Sequence, residues 1–417
     1  MNKEKQKIVP ELRFPEFEKD GEWKIEPFNQ VYSFKITNSF SRDKLNYEKG
    51  TVKNIHYGDI HTKFSTHFDI SKESVPYINP DISIERIDED NYCKEGDLVI
   101  ADASEDIDDI GKSIEIINLN KEKLLAGLHT FIARPIDSKI TIGFGGHLFK
   151  SDGILIQIKN EAQGAKVLGI SKGRLANLHI YYPENEKEQQ KIANCLSSLD
   201  DLLGAETEKL EHLIDHKKGL LQQLFPDKGE TQPQYRFPEF ENDGDWKEKE
   251  LSIALEVKSS QIAKNKLTFK EKGFSVYGAD GLIGFIDSYA QENNYIAIVK
   301  DGSGVGNLFF YEGKSSLLGT LNYLFSKDNK KYILKWLYYL LQTISFKPFI
   351  KGANIPHIYY KDYSKLLVSL PPKPKEQQKI ANCLSSIDDL IEAQTEKIKD
   401  LKEHNKGLMQ QLFPNIK

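Results

Sequence analysis

Five carboxylates crowd one short stretch: Asp102, Glu105, Asp106, Asp108 and Asp109. Such a run could hold a divalent metal for phosphodiester cleavage, although closely spaced acids usually form a solvated face. The stretch Gly302-Ser-Gly304-Val-Gly306 invites a phosphate-cradle reading. It lacks the strand–turn–helix context that places backbone N–H groups around a phosphate, and reads better as a tight hairpin. No Walker A pattern, no HExxH and no Asn/Asp-Pro-Pro-Tyr/Phe motif occurs. Cys93, Cys195 and Cys383 are too few and too scattered for a disulfide framework or a CxxC zinc site. Cys195 and Cys383 read as small apolar packing residues. No residue constellation therefore points to catalysis, and no metal site is expected.

The elements that carry these residues fall into a bounded class. The chain has 417 residues and a net charge of −5, enough for two or three domains. A hydrophobic fraction of 39% with 11% aromatics can fill real cores. No apolar run approaches the ~18 residues of a membrane span, and Met1–Lys7 is polar. These features lead to the expectation of a cytoplasmic protein with no membrane partner.

The chain also repeats itself. Pro10–Lys24 and Pro233–Lys247 agree at 11 of 15 positions. Lys187–Pro226 and Lys375–Pro414 agree at 29 of 40 positions. The second match runs upstream without a gap: Gly164-Ala165-Lys166-Val167 faces Gly352-Ala353-Asn354-Ile355. The expected divisions are an N-terminal repeated segment (1–24), a first variable block (25–186) and a central long helix (187–226). A linker with the second copy of the N-terminal segment (227–248), a second variable block (249–374) and a C-terminal long helix (375–417) follow. Each variable block mixes short apolar runs with turn signals and reads as a compact α+β domain. Gly96-Asp97-Leu-Val-Ile100 and Phe274-Ser-Val-Tyr277 before Gly278-Ala-Asp-Gly281 are strand signals, and Tyr332–Phe346 is a helical one.

The long repeated blocks are helical, because Gly and Pro are scarce and apolar residues recur at steps of three and four. The first seam is Leu196, Leu199, Leu203, Glu206, Leu210, Leu213, Lys217, Leu220 and Leu224. The second is Leu384, Ile387, Ile391, Gln394, Ile398, Leu401, Asn405, Leu408 and Leu412. Such heptads suit a coiled coil, the alternative being two surface helices on their own domains. Asn185 with Glu188 resembles a capping arrangement, and Leu-Phe-Pro ends each helix. Since each helix leaves one block and leads toward the other half, an intramolecular antiparallel pair with pseudo-two-fold symmetry is expected. Matching polar seam positions predicts a register that sets Leu199 against Leu412, Leu203 against Leu408 and Leu210 against Leu401. The same register sets Leu220 against Ile391, Glu206 against Asn405 and Lys217 against Gln394.

This layout resembles the specificity (S) subunit of type I restriction–modification systems. The resemblance rests on Arg13–Phe17 and Arg236–Phe240 (Arg-Phe-Pro-Glu-Phe), and on Glu188–Ala193 and Glu376–Ala381 (Glu-Gln-Gln-Lys-Ile-Ala). Within the blocks, Gly96–Val99, Ala101–Glu105 and Ile110–Lys112 look like the family's pattern. Val276–Gly281, Lys300–Gly302 and Val305–Asn307 look like another variant of it. The resemblance implies two target-recognition domains, each reading half of a bipartite site on double-stranded DNA. It implies helices that space those domains and dock two methyltransferase (M) subunits, through which restriction (R) subunits join. No cofactor is expected on this chain; S-adenosylmethionine, ATP and Mg would belong to the partner subunits. A coiled-coil scaffold between two protein-binding domains is the rival reading, and a metal nuclease using the acidic run is another.

On the DNA reading, charge is unequally shared. Residues 25–186 carry 19 basic and 25 acidic residues, and residues 249–374 carry 17 and 10. Because phosphate contacts dominate DNA affinity, the second block should grip harder. The candidates in the first block are Tyr57, Lys63, Lys172 and Arg174. The second block has no Arg and so lacks the commonest guanine reader, leaving Lys300, Asn307, Asn322 and His357. His357 could equally be a structural residue at the domain–helix junction.

Overall fold

The computed structural model describes residues 8–164 and 166–415. These form two compact units: residues 8–206 with 397–415, and residues 207–396. Each unit combines helix and sheet. The repeated blocks are single helices of 39 residues, Glu186–Leu224 and Pro374–Leu412, each about 58 Å long at 1.5 Å per residue. Each helix contributes residues to both units. Among the described residues, no helix is long and apolar enough to cross a membrane.

In the first unit, a five-stranded sheet is centred on Leu98–Ala101, which pairs antiparallel with Thr130–Pro135 and Ser113–Asn118. Leu-Val-Ile-Ala has no polar alternation because both of its faces are buried. Tyr32–Lys35 and His67–Asp69 flank the sheet, the latter parallel to Ser113–Asn118. A smaller sheet holds Leu124–Ala126, Lys53–Ile55, Tyr77–Ile78 and Leu45–Asn46. The helix Phe144–Lys150 and the sheet share a core with Leu196 and with Leu412 and Phe413 at the end of the second long helix.

The second unit has a four-stranded antiparallel sheet, with Tyr295–Val299 buried along its whole length. Phe274–Gly278 and Gly281–Ile286 pair antiparallel as a hairpin around the Gly-Ala-Asp-Gly turn signal. The Gly-rich stretch lies in the turn between the paired strands Tyr295–Val299 and Leu308–Tyr311, as a hairpin and not a phosphate loop. The apolar stretch after residue 332 becomes the helix Leu334–Gln342, which buries Trp336, Leu337, Tyr339, Leu340 and Leu341.

The repeats build the same junction twice. Arg13 makes a two-pronged ion pair with Glu188 (2.8 and 2.7 Å), and Trp23 donates its indole N–H to the same carboxylate. Arg236 and Trp246 do the same to Glu376. The Glu188 side chain is thus taken by Arg13 and Trp23 and does not return to the helix cap, where Asn185 accepts from the Lys187 N–H instead. Gln189 accepts from the Thr141 N–H and donates to the Lys139 and Pro183 carbonyls. Gln377 repeats this with Ile333 and Lys331. The helix ends join in as well: Leu12 N–H bonds to the Gln411 carbonyl, and Tyr235 N–H to the Gln223 carbonyl.

Within each unit the long-helix segments run antiparallel, in a register different from the expected one. Asp200 accepts from Asn405 and Glu206 pairs with Lys397 in the first unit. Lys217 pairs with Asp388 in the second. The expected partners were Asn405 for Glu206 and Gln394 for Lys217, so the pairing is about one heptad away. The expectation set polar seam residues against each other, whereas the observed pairing brings Glu206 and Lys217 close to Ile398 and Ile387. Long Lys side chains allow this, since they reach past apolar neighbours to carboxylates at the helix edge while their stems cover apolar surface.

Candidate nucleic-acid interface

Of the four candidates in the first unit, Arg174 lines a groove that Tyr57 approaches through His129, while Lys63 and Lys172 have partners of their own. Tyr57 opens the short helix Tyr57–Thr62, and its ring packs against His56 and His129 (4.7 and 5.3 Å between centroids). His129 also contacts Asp102 through Nδ1 (3.0 Å). Asp102, His129, Ser171 and Arg174 then line one groove of about 420 Å³. Lys63, at the far end of the Tyr57 helix, pairs with buried Asp59 and donates to Tyr47. The hydrogen bonds to Tyr47 and Asp59 hold its ammonium above the usual lysine range. Arg174 is tied to Glu161 (3.2 Å), while Lys172 lies over the Phe34 ring. Burial, followed by the Arg42 charge, lowers the His56 pKa.

In the second unit, Lys300, Asn307 and His357 converge on the Gly-rich turn. The Ile358 N–H bonds to the Lys300 carbonyl, and Gly302 N–H to that of Pro356. Asn307 is exposed beside Gly304. His357 lies edge-on to the exposed Tyr359, over which Lys351 and Lys361 place their ammonium groups. Asn322 is elsewhere. It sits within the strand Leu321–Ser326, only 6% exposed. Its side chain therefore lies inside the sheet and not on the turn that carries the other three. That sheet is covered on both faces, by Ile296, Ile298 and Leu324 on one and by Tyr295, Ala297 and Tyr323 on the other, which a single short run of residues does not reveal.

Two loops went unrecognised as a pair of surface features. Gln163 and Gly169 exchange backbone hydrogen bonds, and at the equivalent place in the second repeat Lys351 and His357 do the same. Each closed loop carries an exposed branched side chain, Val167 at 53% and Ile355 at 66%. Gly164 and Gly352 have φ of +133° and +88°, and a Cβ there would lie 2.0 and 2.5 Å from the Val167 and Ile355 carbonyl oxygens. Only glycine closes this turn. The repeat alignment that set Gly164 against Gly352 was the available signal.

The acidic run is a solvated turn: Asp108 pairs with Lys159, and Asp109 with Lys112.

The family described as the type I restriction modification DNA specificity domain matches residues 25–213 and 243–403. The Type I restriction enzyme MjaVIII specificity subunit of Methanocaldococcus jannaschii is 34% identical over 122 residues, 29% of this chain and 28% of that protein. The putative MjaX specificity subunit of the same organism is 27% identical over 340 residues, covering 76% of this chain and 77% of the relative. In three dimensions, the crystal structure of a type I restriction-modification S subunit from M. genitalium superposes with a TM-score of 0.65. It is 16% identical, and the match covers 98% of this chain and all of that one.

Proposed function

The chain belongs to the type I restriction–modification DNA specificity family, and from that premise we propose that each unit reads one half of a bipartite site on double-stranded DNA. The carrying observation is the duplicated loop: two glycine-closed turns, one in each repeat, presenting an exposed Val167 in the groove of His129 and Arg174, and an exposed Ile355 in the loop closed by Lys351 and His357. An exposed Val or Ile among Lys, Arg and His suits contact with a thymine methyl group, while the cations take the flanking phosphates. The chain itself is non-catalytic on this reading. It works in the cytosol with two methyltransferase subunits and, through them, restriction subunits; S-adenosylmethionine, ATP and Mg stay on those partners. The long helices pair as an antiparallel coiled coil that spaces the two recognition domains.

Methylation mapping tests this in a host that carries the chain and its cognate methyltransferase. The expected outcome is modification of one two-part site. Val167→Asp should relax or abolish one half of it and Ile355→Asp the other. Methylation independent of this chain, or untouched by both substitutions, favours the scaffold reading.

A further inference from the structure

The first unit contains a side-chain cluster apart from the glycine-closed loop and its groove. His67 comes from the outer strand of the five-stranded sheet, His147 from the helix Phe144–Lys150, and Asp200 from the first long helix. One donor atom from each lies within 4.8 Å of the others. The cluster borders a cavity of about 660 Å³ that Ser197, Asp201, Asp108 and Asp109 also line.

The orientation of the rings is specific. His67 Nε2 lies 2.8 Å from the Gly143 carbonyl oxygen, to which it donates, leaving the Nδ1 lone pair directed at Ser197 Oγ (3.2 Å). His147 Nε2 points at the same hydroxyl from 3.2 Å. A backbone carbonyl on the far nitrogen is the arrangement that orients a metal-binding histidine. Asp200 in turn is held by Asn405 (2.8 Å).

The second unit serves as an internal comparison. Gln189 and Gln377 bind the N–H of Thr141 and Ile333, and six positions beyond these stand His147 and Tyr339. Ser197 and Asp200 correspond through the repeat to Ser385 and Asp388. There the Tyr339 hydroxyl donates to Asp388 (2.7 Å) and Lys217 completes the carboxylate. The second unit closes this junction with an ordinary hydrogen bond and an ion pair. The first replaces the phenol by an imidazole, adds a second imidazole and opens a cavity.

We propose that His67, His147 and Asp200 bind a divalent transition metal, with Zn²⁺ the best match, fastening the first recognition domain to the first long helix. Two imidazoles and a carboxylate suit Zn²⁺, with Ser197 or a cavity water in the fourth position. Tetrahedral ligands at ~2.0–2.1 Å from zinc stand roughly 3.4 Å apart, so the cluster contracts by about an ångström on binding. Lys72, Lys112 and Lys150 line the same cavity and oppose the metal, and Asp69, Asp108, Asp109 and Asp201 offset them. Because the three ligands come from three elements, the metal removes freedom at the junction that must hold the domain's angle to the helix.

The test uses the full chain, stripped with a chelator and titrated with Zn²⁺ by calorimetry, with Co²⁺ as the spectroscopic probe. One equivalent of Zn²⁺ should bind and raise the unfolding temperature, and Co²⁺ should give the intense visible absorption of a four-coordinate site. His147→Tyr installs the second unit's own solution and should fold normally, and His67→Asn removes the other imidazole. Each should weaken binding on the order of 100-fold or more, since loss of outer partners alone costs ~10–100-fold. Wild-type binding no tighter than that of folded His147→Tyr protein, or undiminished binding in both variants, overturns the site.

Discussion

Glu188 and Glu376 are each almost fully buried and each satisfied by an arginine and a tryptophan. Breaking such a pair strands a charge in the interior, which costs ~3–5 kcal/mol, whereas replacing both partners with apolar residues costs far less. Arg13→Met is therefore expected to destabilise strongly, and Arg13→Met with Glu188→Met to recover most of the loss in a urea double-mutant cycle. Glu115 behaves differently. Burial pushes its carboxyl up to about 7, although it accepts the Gly143 and Gly146 N–H groups. The folded state then keeps a proton that the unfolded chain releases near its ordinary value of 4.5. Stability from this group is present below that value and lost as pH rises through 7, about 3 kcal/mol in all at ~1.4 kcal/mol per unit. Glu115→Gln stays neutral throughout. Between about pH 5 and pH 8, with chelator present, urea unfolding should show the wild type losing stability relative to the variant.

At the scale of elements, the two long helices were legible because a heptad is a local pattern: spacing alone dictates which side chains share a face. The register was not. It depends on where Lys217 and Lys397 find carboxylates on the opposite helix, which the seam pattern does not encode. Cysteines at 200 and 405, with Cys195 and Cys383 changed to Ser, should crosslink on mild oxidation faster than cysteines at 206 and 405. The reverse order, read by mass spectrometry of the peptides, would restore the register expected from seam matching. Strand existence was similarly legible in Leu98–Ala101 and Phe274–Gly278. Which strand faces are covered was not legible, and the polar Asn322 is buried within its strand.

For the whole molecule, the spacer reading makes a length prediction. One heptad added to both helices, between 206 and 207 and between 396 and 397, preserves the heptad phase and lengthens a rod by ~10.5 Å. That equals about three base pairs at ~3.4 Å each and turns the second half-site by roughly 100° on a duplex of ~10.5 base pairs per turn. Methylation should weaken and shift to a longer gap. Three heptads, near nine base pairs, should recover part of it, with both half-site sequences unchanged. An unaltered gap in active variants would show that the helices are not the ruler.

What the sequence by itself determined was the doubled plan: two long helices, two variable α+β blocks and the family they resemble. These follow from repeats and periodicities written along one stretch of chain. Only the tertiary structure decided what Glu188 and Gln189 grip, how the helices register, and that His67, His147 and Asp200 meet. Those three lie far apart in sequence, on a strand and two helices whose own patterns say nothing of one another. Their meeting is a product of packing, and so is the contrast with Tyr339 and Asp388, where the same junction closes with a hydrogen bond.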